Sequence, residues 1–152
     1  GSVGSAAVQL AAILGGTVTA VCSEANRDLV VRLGAVRWVD RTTTPVRQLS
    51  ERFDVVFDTV GSLSIASGRR LLNDGGMLLL AVAGLGETIR ARGNVAAGSA
   101  PERVDDFDLL LGLVADGELV VVHDQSYDLV DIAEAHRRVD GGRKVGNIIV
   151  HP

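Results

Sequence analysis

Aromatic side chains make up only 3% of this chain of 152 residues, and cysteine, methionine, tryptophan and tyrosine occur once each. The lone thiol, Cys22, cannot close a disulfide within the chain, and no cysteine cluster offers a structural zinc site. A reducing, cytoplasmic setting is the expectation that follows. No apolar run reaches the ~20 residues of a membrane span, and no basic stretch precedes an apolar segment at the N-terminus as in a secretory signal. Positive charge is also short. Lys and Arg total 15 against 19 Asp and Glu, a net charge of −4, so the basic excess of a nucleic-acid surface is missing. His123, His136 and His151 lie too far apart for ligand spacing, so no metal site is expected within the chain. No Ser-His-Asp order is visible, and no residue is nominated as catalytic.

What is abundant is valine, leucine, alanine and glycine, in a chain 47% hydrophobic. Such a composition suits buried parallel strands alternating with helices. The pattern predicts a buried helix from Ser5 to Leu14, apolar on nearly every face, then a strand at Thr17–Cys22 and a helix at Glu24–Leu33. A strand at Val36–Val39 and a short helix at Val46–Arg52 follow, then a strand at Asp54–Val60. A helix at Leu63–Leu72 should stop at the Asn73-Asp74-Gly75-Gly76 run, ahead of a long apolar strand at Met77–Ala83. Residues Gly84 to Ala100 read as a loop with a short strand at Asn94–Ala97. Pro101 opens a helix reaching Asp116. Leu119–Val122 reads as a strand, Asp128 caps a helix to Val139, and Val145–Val150 closes the chain as a strand. This alternation predicts an α/β fold of parallel, right-handed βαβ units.

The opening Gly1-Ser2-Val3-Gly4 fits the second half of a Gly-x-Gly-x-x-Gly loop. Gly1 would let the backbone approach a diphosphate, Gly4 would let helix and strand pack closely, and Ser2 and Val3 would offer amide groups at a helix N-terminus. A tag remnant followed by an ordinary helix start would look the same over four residues. The residue that reads the ribose should stand roughly 20 positions on, at the end of the next strand. Ser23 stands there, with Arg27 one turn later and Arg41 after the following strand. A small hydroxyl beside guanidinium groups suits a 2′-phosphate, which favours NADP over NAD. The plain alternative makes Ser23 a helix cap and Arg27 a solvated surface residue, while Glu24, one place on, would instead bind an unphosphorylated diol.

Taken together, GSVGSAAVQLA, VTAVCS, FDVVFDTVG, LLNDGGMLLL and the closing IAEAHRRVDGGRKVGNIIV resemble the zinc-type medium-chain alcohol dehydrogenase and quinone oxidoreductase family. The resemblance covers essentially the whole chain. It implies a Rossmann-type doubly wound parallel sheet partnered by a GroES-like catalytic domain, with the active site in the cleft between the two. It further implies that Val60 and Gly61 lie near the cofactor ribose, Val82 and Ala83 near the nicotinamide, and that Asn147 approaches the cofactor from the last strand. The plain alternative makes Val60, Val82 and Ala83 core residues and Gly61 an ordinary turn.

The catalytic domain and the first strand of the Rossmann sheet have no counterpart here, so the expectation is an incomplete cofactor-binding domain over residues 1–117. Residues 118–152 would then be a segment that packs with the catalytic domain in relatives. The implied activity is hydride transfer between NAD(P)H and a small-molecule quinone, enone, carbonyl or alcohol, in a protein expected to form a homodimer. Two alternatives remain: an S-adenosylmethionine-dependent methyltransferase-like domain, since FDVVFDTVG and LLNDGGMLLL also resemble its later strands, and a non-catalytic nucleotide-binding module.

Overall fold

The computed structural model describes residues 1–152, which fold as two compact units. One comprises Gly1–Trp38 with Arg103–Pro152, the other Val39–Glu102.

In the first unit, helix α1 (Ser2–Ile13) leads to strand β1 (Val18–Cys22). A 3-10 turn at Glu24–Asn26 then enters α2 (Arg27–Arg32), and strand β2 (Ala35–Asp40), which forms a two-stranded sheet with β1, carries the chain out of the unit. Ala20, Val30 and Ala35 make its core, with Val8, Val18, Cys22 and Trp38 packed around them. Small residues at two of the three core positions let helix and sheet approach closely. Although α1 is apolar almost throughout, only Gln9 on it is buried, and Leu14 is 82% exposed. The reading of a fully buried helix is therefore corrected; Cys22, at the end of β1, is half-buried.

The second unit holds a three-stranded parallel sheet, β3 (Phe53–Asp58), β4 (Leu72–Leu80) and β5 (Val95–Ala97), in that order. Helix α3 (Ile65–Arg69) connects the first two, and α4 (Leu85–Arg90) precedes the third. Period-two alternation divides the sheet into a buried face and a wet one. Leu78, Leu80 and Val95 are buried with Leu72, and Val56 and Ile65 pack on them. On the opposite face Val55, Phe57 and Met77 stay exposed. Gly68 of α3 lies so near Leu78 that an added Cβ would fall 2.6 Å from its methyl groups, so glycine there sets the distance between helix and sheet.

Beyond residue 102 the first unit resumes with α5 (Val104–Ala115), then the parallel pair β6 (His123–Asp128) and β7 (Asn147–His151), bridged by α6 (Ile132–Asp140).

Three local expectations change. Strand β4 begins at Leu72 rather than Met77, and the Asn73–Gly76 run forms a bulge within it: Phe53 pairs with Leu72, yet Val55 pairs with Met77. The Asn73 amide donates to the Asp54 carboxylate at 2.9 Å and fixes that bulge. The stretch read as a loop after Gly84 contains α4. The apolar Leu119–Val122 run is not a strand; the strand is the polar segment that follows it. Side chains bond part of the backbone of the Leu119–Val122 run instead. Gln9 donates to Val120 O at 3.0 Å and accepts from Val120 N at 2.8 Å, while Asn147 donates to Val122 O through both its backbone and its side-chain amide.

Two measurements check this packing. Leu78→Ala should cost about 2–5 kcal/mol by denaturant titration, as expected for truncating a fully buried leucine. Gln9→Ala leaves two polar groups of Val120 without partners and should cost about 1–3 kcal/mol, whereas Gln9→Leu should not restore the loss.

Candidate functional site

The nominated residues divide between the units. In the first, Gly1 is the N-cap of α1, and no side chain caps the helix amides of Ser2, Val3 and Gly4. The first turn carries no acidic residue. Instead the only lysine of the chain, Lys144, reaches it. Its ammonium donates to Ser2 Oγ at 2.6 Å and to Gly146 O at 2.8 Å, and Ser2 Oγ in turn donates to Gly146 O at 2.9 Å. A cation at the positive end of a twelve-residue helix raises the local potential rather than cancelling it. The sequence pattern did not single out Lys144, because it lies 142 residues along the chain from the Ser2 hydroxyl it touches.

In the same unit, Arg138 of α6 grips Asp124 of β6 with two hydrogen bonds of 2.8 and 2.9 Å. The Asp124 side chain is 8% exposed. The hydrogen bond from Arg138, more than any other influence, holds its carboxyl below the ordinary aspartate value of 3.8. Arg138 is the ion-pair partner of this carboxylate, while the Lys144 ammonium donates to Ser2 Oγ on α1 and to Gly146 O.

At the end of β1, Ser23 is half-buried and occupies the N-cap position of the 3-10 turn, but its hydroxyl caps no amide. It accepts instead from the Asn26 side chain at 3.4 Å. Arg27 is exposed, with its guanidinium 5.6 Å from the centroid of the Trp38 ring, a cation–π distance. Trp38 Nε1 is buried without a hydrogen-bond partner. Asn147, the first residue of β7, spends its side-chain NH2 on Val122 O at 3.1 Å.

In the second unit the parallel strands end together: Asp58 lies beside Leu80, and Leu80 beside Ala97. The carboxyl edge of a parallel sheet is where α/β proteins bind ligands. Val60 and Gly61 follow β3 there, and Val82 and Ala83 follow β4. The two loops touch, since a Cβ on Gly61 would lie 3.4 Å from Val82 Cγ1. Gly61 has φ +76°, which resists any side chain. Val60 is 73% and Val82 56% exposed, whereas Ala83 packs on the core. Arg41 follows β2 and is exposed.

Asp58, absent from the sequence-derived site, organises this edge. Its side chain belongs to a residue only 5% exposed. Oδ1 accepts from the Val60 and Gly61 amides at 2.9 and 3.0 Å, and Oδ2 accepts from Leu63 N at 2.7 Å and from the Ser62 hydroxyl at 3.4 Å. The available signal was an acidic residue ending a strand otherwise rich in valine and phenylalanine.

A cleft of about 390 Å3 lies in the second unit between α3 and α4, lined by Ser64, Ile65, Ala66, Arg69, Glu87 and Arg90; none of the nominated residues lines it. No group of three or more His, Cys, Asp or Glu side chains is placed to hold a metal ion. No helix is long and apolar enough to cross a membrane.

The Asp124–Arg138 pair sets a pH dependence. A depressed carboxyl pKa contributes stability that is present above 3.8 and lost as pH falls through the lowered folded value. Urea midpoints measured on descending pH should fall in that acid range, and Asp124→Asn should flatten this limb of the profile.

Comparison with known proteins agrees with this architecture. Residues 33–150 match a family model described as a zinc-binding dehydrogenase. A quinone oxidoreductase structure from Coxiella burnetii superposes with a TM-score of 0.85 at 22% identity, covering 98% of this chain and 49% of that one. An alcohol dehydrogenase from Aeropyrum pernix gives a TM-score of 0.80 at 28% identity, covering 100% of this chain and 48% of its own. A phenolphthiocerol/phthiocerol polyketide synthase of Mycobacterium tuberculosis is 29% identical over 99% of this chain, which spans 8% of that protein. The chain thus spans about half the length of these structural relatives and a small share of the polyketide synthase. With residues 33–150 matched to the family model and the fold shared along nearly the whole chain, this protein belongs to the zinc-binding dehydrogenase family.

Proposed function

We propose that this chain is the cofactor-binding part of an NADP-dependent oxidoreductase that transfers hydride to or from a quinone, enone, carbonyl or alcohol. The observation that carries the reading is the uncapped N-terminal turn of α1 with Lys144 set against it and no acid in that turn. Free helix amides and an added cation make a seat for a diphosphate. Family membership supports a nicotinamide cofactor.

In this reading Gly1, Ser2, Val3 and Gly4 hold the diphosphate with Lys144. Ser23 and Arg27 meet the adenosine ribose, where a guanidinium group favours a 2′-phosphate. Glu24, exposed at the start of the 3-10 turn, is the residue that would favour NAD instead. Val60, Gly61, Val82 and Ala83 face the nicotinamide end, and Asn147 approaches from β7. The bound nicotinamide supplies the hydride chemistry; the protein supplies binding and orientation. Residues 118–152 are proposed to pack with a catalytic domain, and the working protein to be a cytoplasmic homodimer acting on a small-molecule substrate.

Thermal denaturation with NADPH, NADH and S-adenosylmethionine tests the assignment. NADPH should raise the melting temperature most, and Lys144→Ala should remove most of that gain. Stabilisation by S-adenosylmethionine alone would overturn it in favour of a methyltransferase-like domain.

A further inference from the structure

The chain has three Asp-Gly pairs, Asp74-Gly75, Asp116-Gly117 and Asp140-Gly141, and no Asn-Gly pair. An aspartate followed by glycine can cyclise, because no side chain on the next residue shields its amide from the carboxyl. All of these residues are exposed, so exposure does not choose among the pairs. Hydrogen bonding does. Asp116 closes α5, and the Gly117 amide donates to Val114 O at 3.1 Å. Asp140 ends α6, and the Gly141 amide donates to Arg137 O at 3.0 Å. Turning either amide toward its aspartate gives up a bond that finishes the helix. Asp74 and Gly75 lie instead in the bulge of β4, where neither has a register partner on β3. The bulge is held on both sides of them. Asn73 is tied to Asp54, and Gly76 lies so near β3 that an added Cβ would fall 2.9 Å from Asp54 O. Between these anchors Gly75 has φ +79° and open space where a side chain would stand.

We infer that Asp74-Gly75 is a modification site at which the folded chain isomerises aspartate to isoaspartate. The Gly75 nitrogen attacks Asp74 Cγ, a C–N bond forms, and a carboxyl oxygen leaves as water with the carboxyl and amide protons. Water then opens the cyclic imide. Opening at Cγ restores aspartate; opening at the α-carbonyl breaks the original peptide bond and routes the chain through Cγ. The water lost is regained, so the mass is unchanged and no oxidant or reductant takes part. The product lengthens the backbone by a methylene and frees an α-carboxylate. A bulge takes up that length outside the ladder, and Asp74 stands at the amino end of β4, away from the carboxyl edge at Leu80.

The test is ageing of the full chain at physiological pH and temperature, then tryptic digestion and labelling with an isoaspartyl carboxyl methyltransferase and tritiated S-adenosylmethionine. The pairs fall on separate fragments, 71–90, 104–137 and 139–143. In the folded chain, fragment 71–90 should gain label about five- to tenfold faster than either of the others, the factor that one retained hydrogen bond represents. A parallel sample aged in urea has no cap bonds to lose, and there the rates should converge. Equal labelling of the folded chain, labelling mainly at Asp116 or Asp140, or labelling in urea alone overturns the assignment. Asp74→Glu keeps the charge at an exposed position and should remove most of the label from fragment 71–90 only; label that persists there sinks the proposal as well.

Discussion

A carboxylate withdrawn from water must be solvated by something else, and at the end of β3 backbone amides take that place. The arrangement around Asp58 binds the loop that follows β3 into a single conformation using only neighbours in sequence. A buried amide left unpaired there would in turn cost free energy comparable to a lost hydrogen bond. The geometry of the sheet's carboxyl edge, including the approach of Gly61 to Val82, depends on that mutual satisfaction.

The first unit solves the same problem by opposite means. Instead of an acid drawing amides inward, α1 leaves its leading amides uncapped and a lysine adds positive charge beside them. Further along the same helix, Gln9 presents both halves of its amide to Val120 and so imitates a strand neighbour. The Gln9 amide here bonds Val120 as a neighbouring strand would, although the Leu119–Val122 stretch joins no ladder.

Much of this was readable in the sequence. Alternation of valine-rich runs with helical spacing located β1, β2, β3 and β5 within a residue or two, because hydrophobic periodicity is a local property. The errors share a cause. β6 is the polar run His123–Asp128, hidden because its partner and its covering helix lie downstream and burial cannot be read from composition. β4 swallowed the Asn-Asp-Gly-Gly signal because a tertiary bond from Asn73 to Asp54 turns a stop into a bulge. The site shows the same limit. Glycines and strand tips announce themselves by spacing, whereas Lys144 and Asp58 matter through contacts that no local pattern encodes.

The stacking of Arg27 on Trp38 gives the protein a built-in optical probe. With one tryptophan in the chain, ultraviolet emission at indole wavelengths has a single source. That source lies under a guanidinium, beside the core of the first unit, with its ring nitrogen shielded and unpaired. Any event that lifts Arg27 away or brings an acceptor to Nε1 alters the electrostatic environment of the excited indole, so occupancy near the end of β1 can be followed in unlabelled protein.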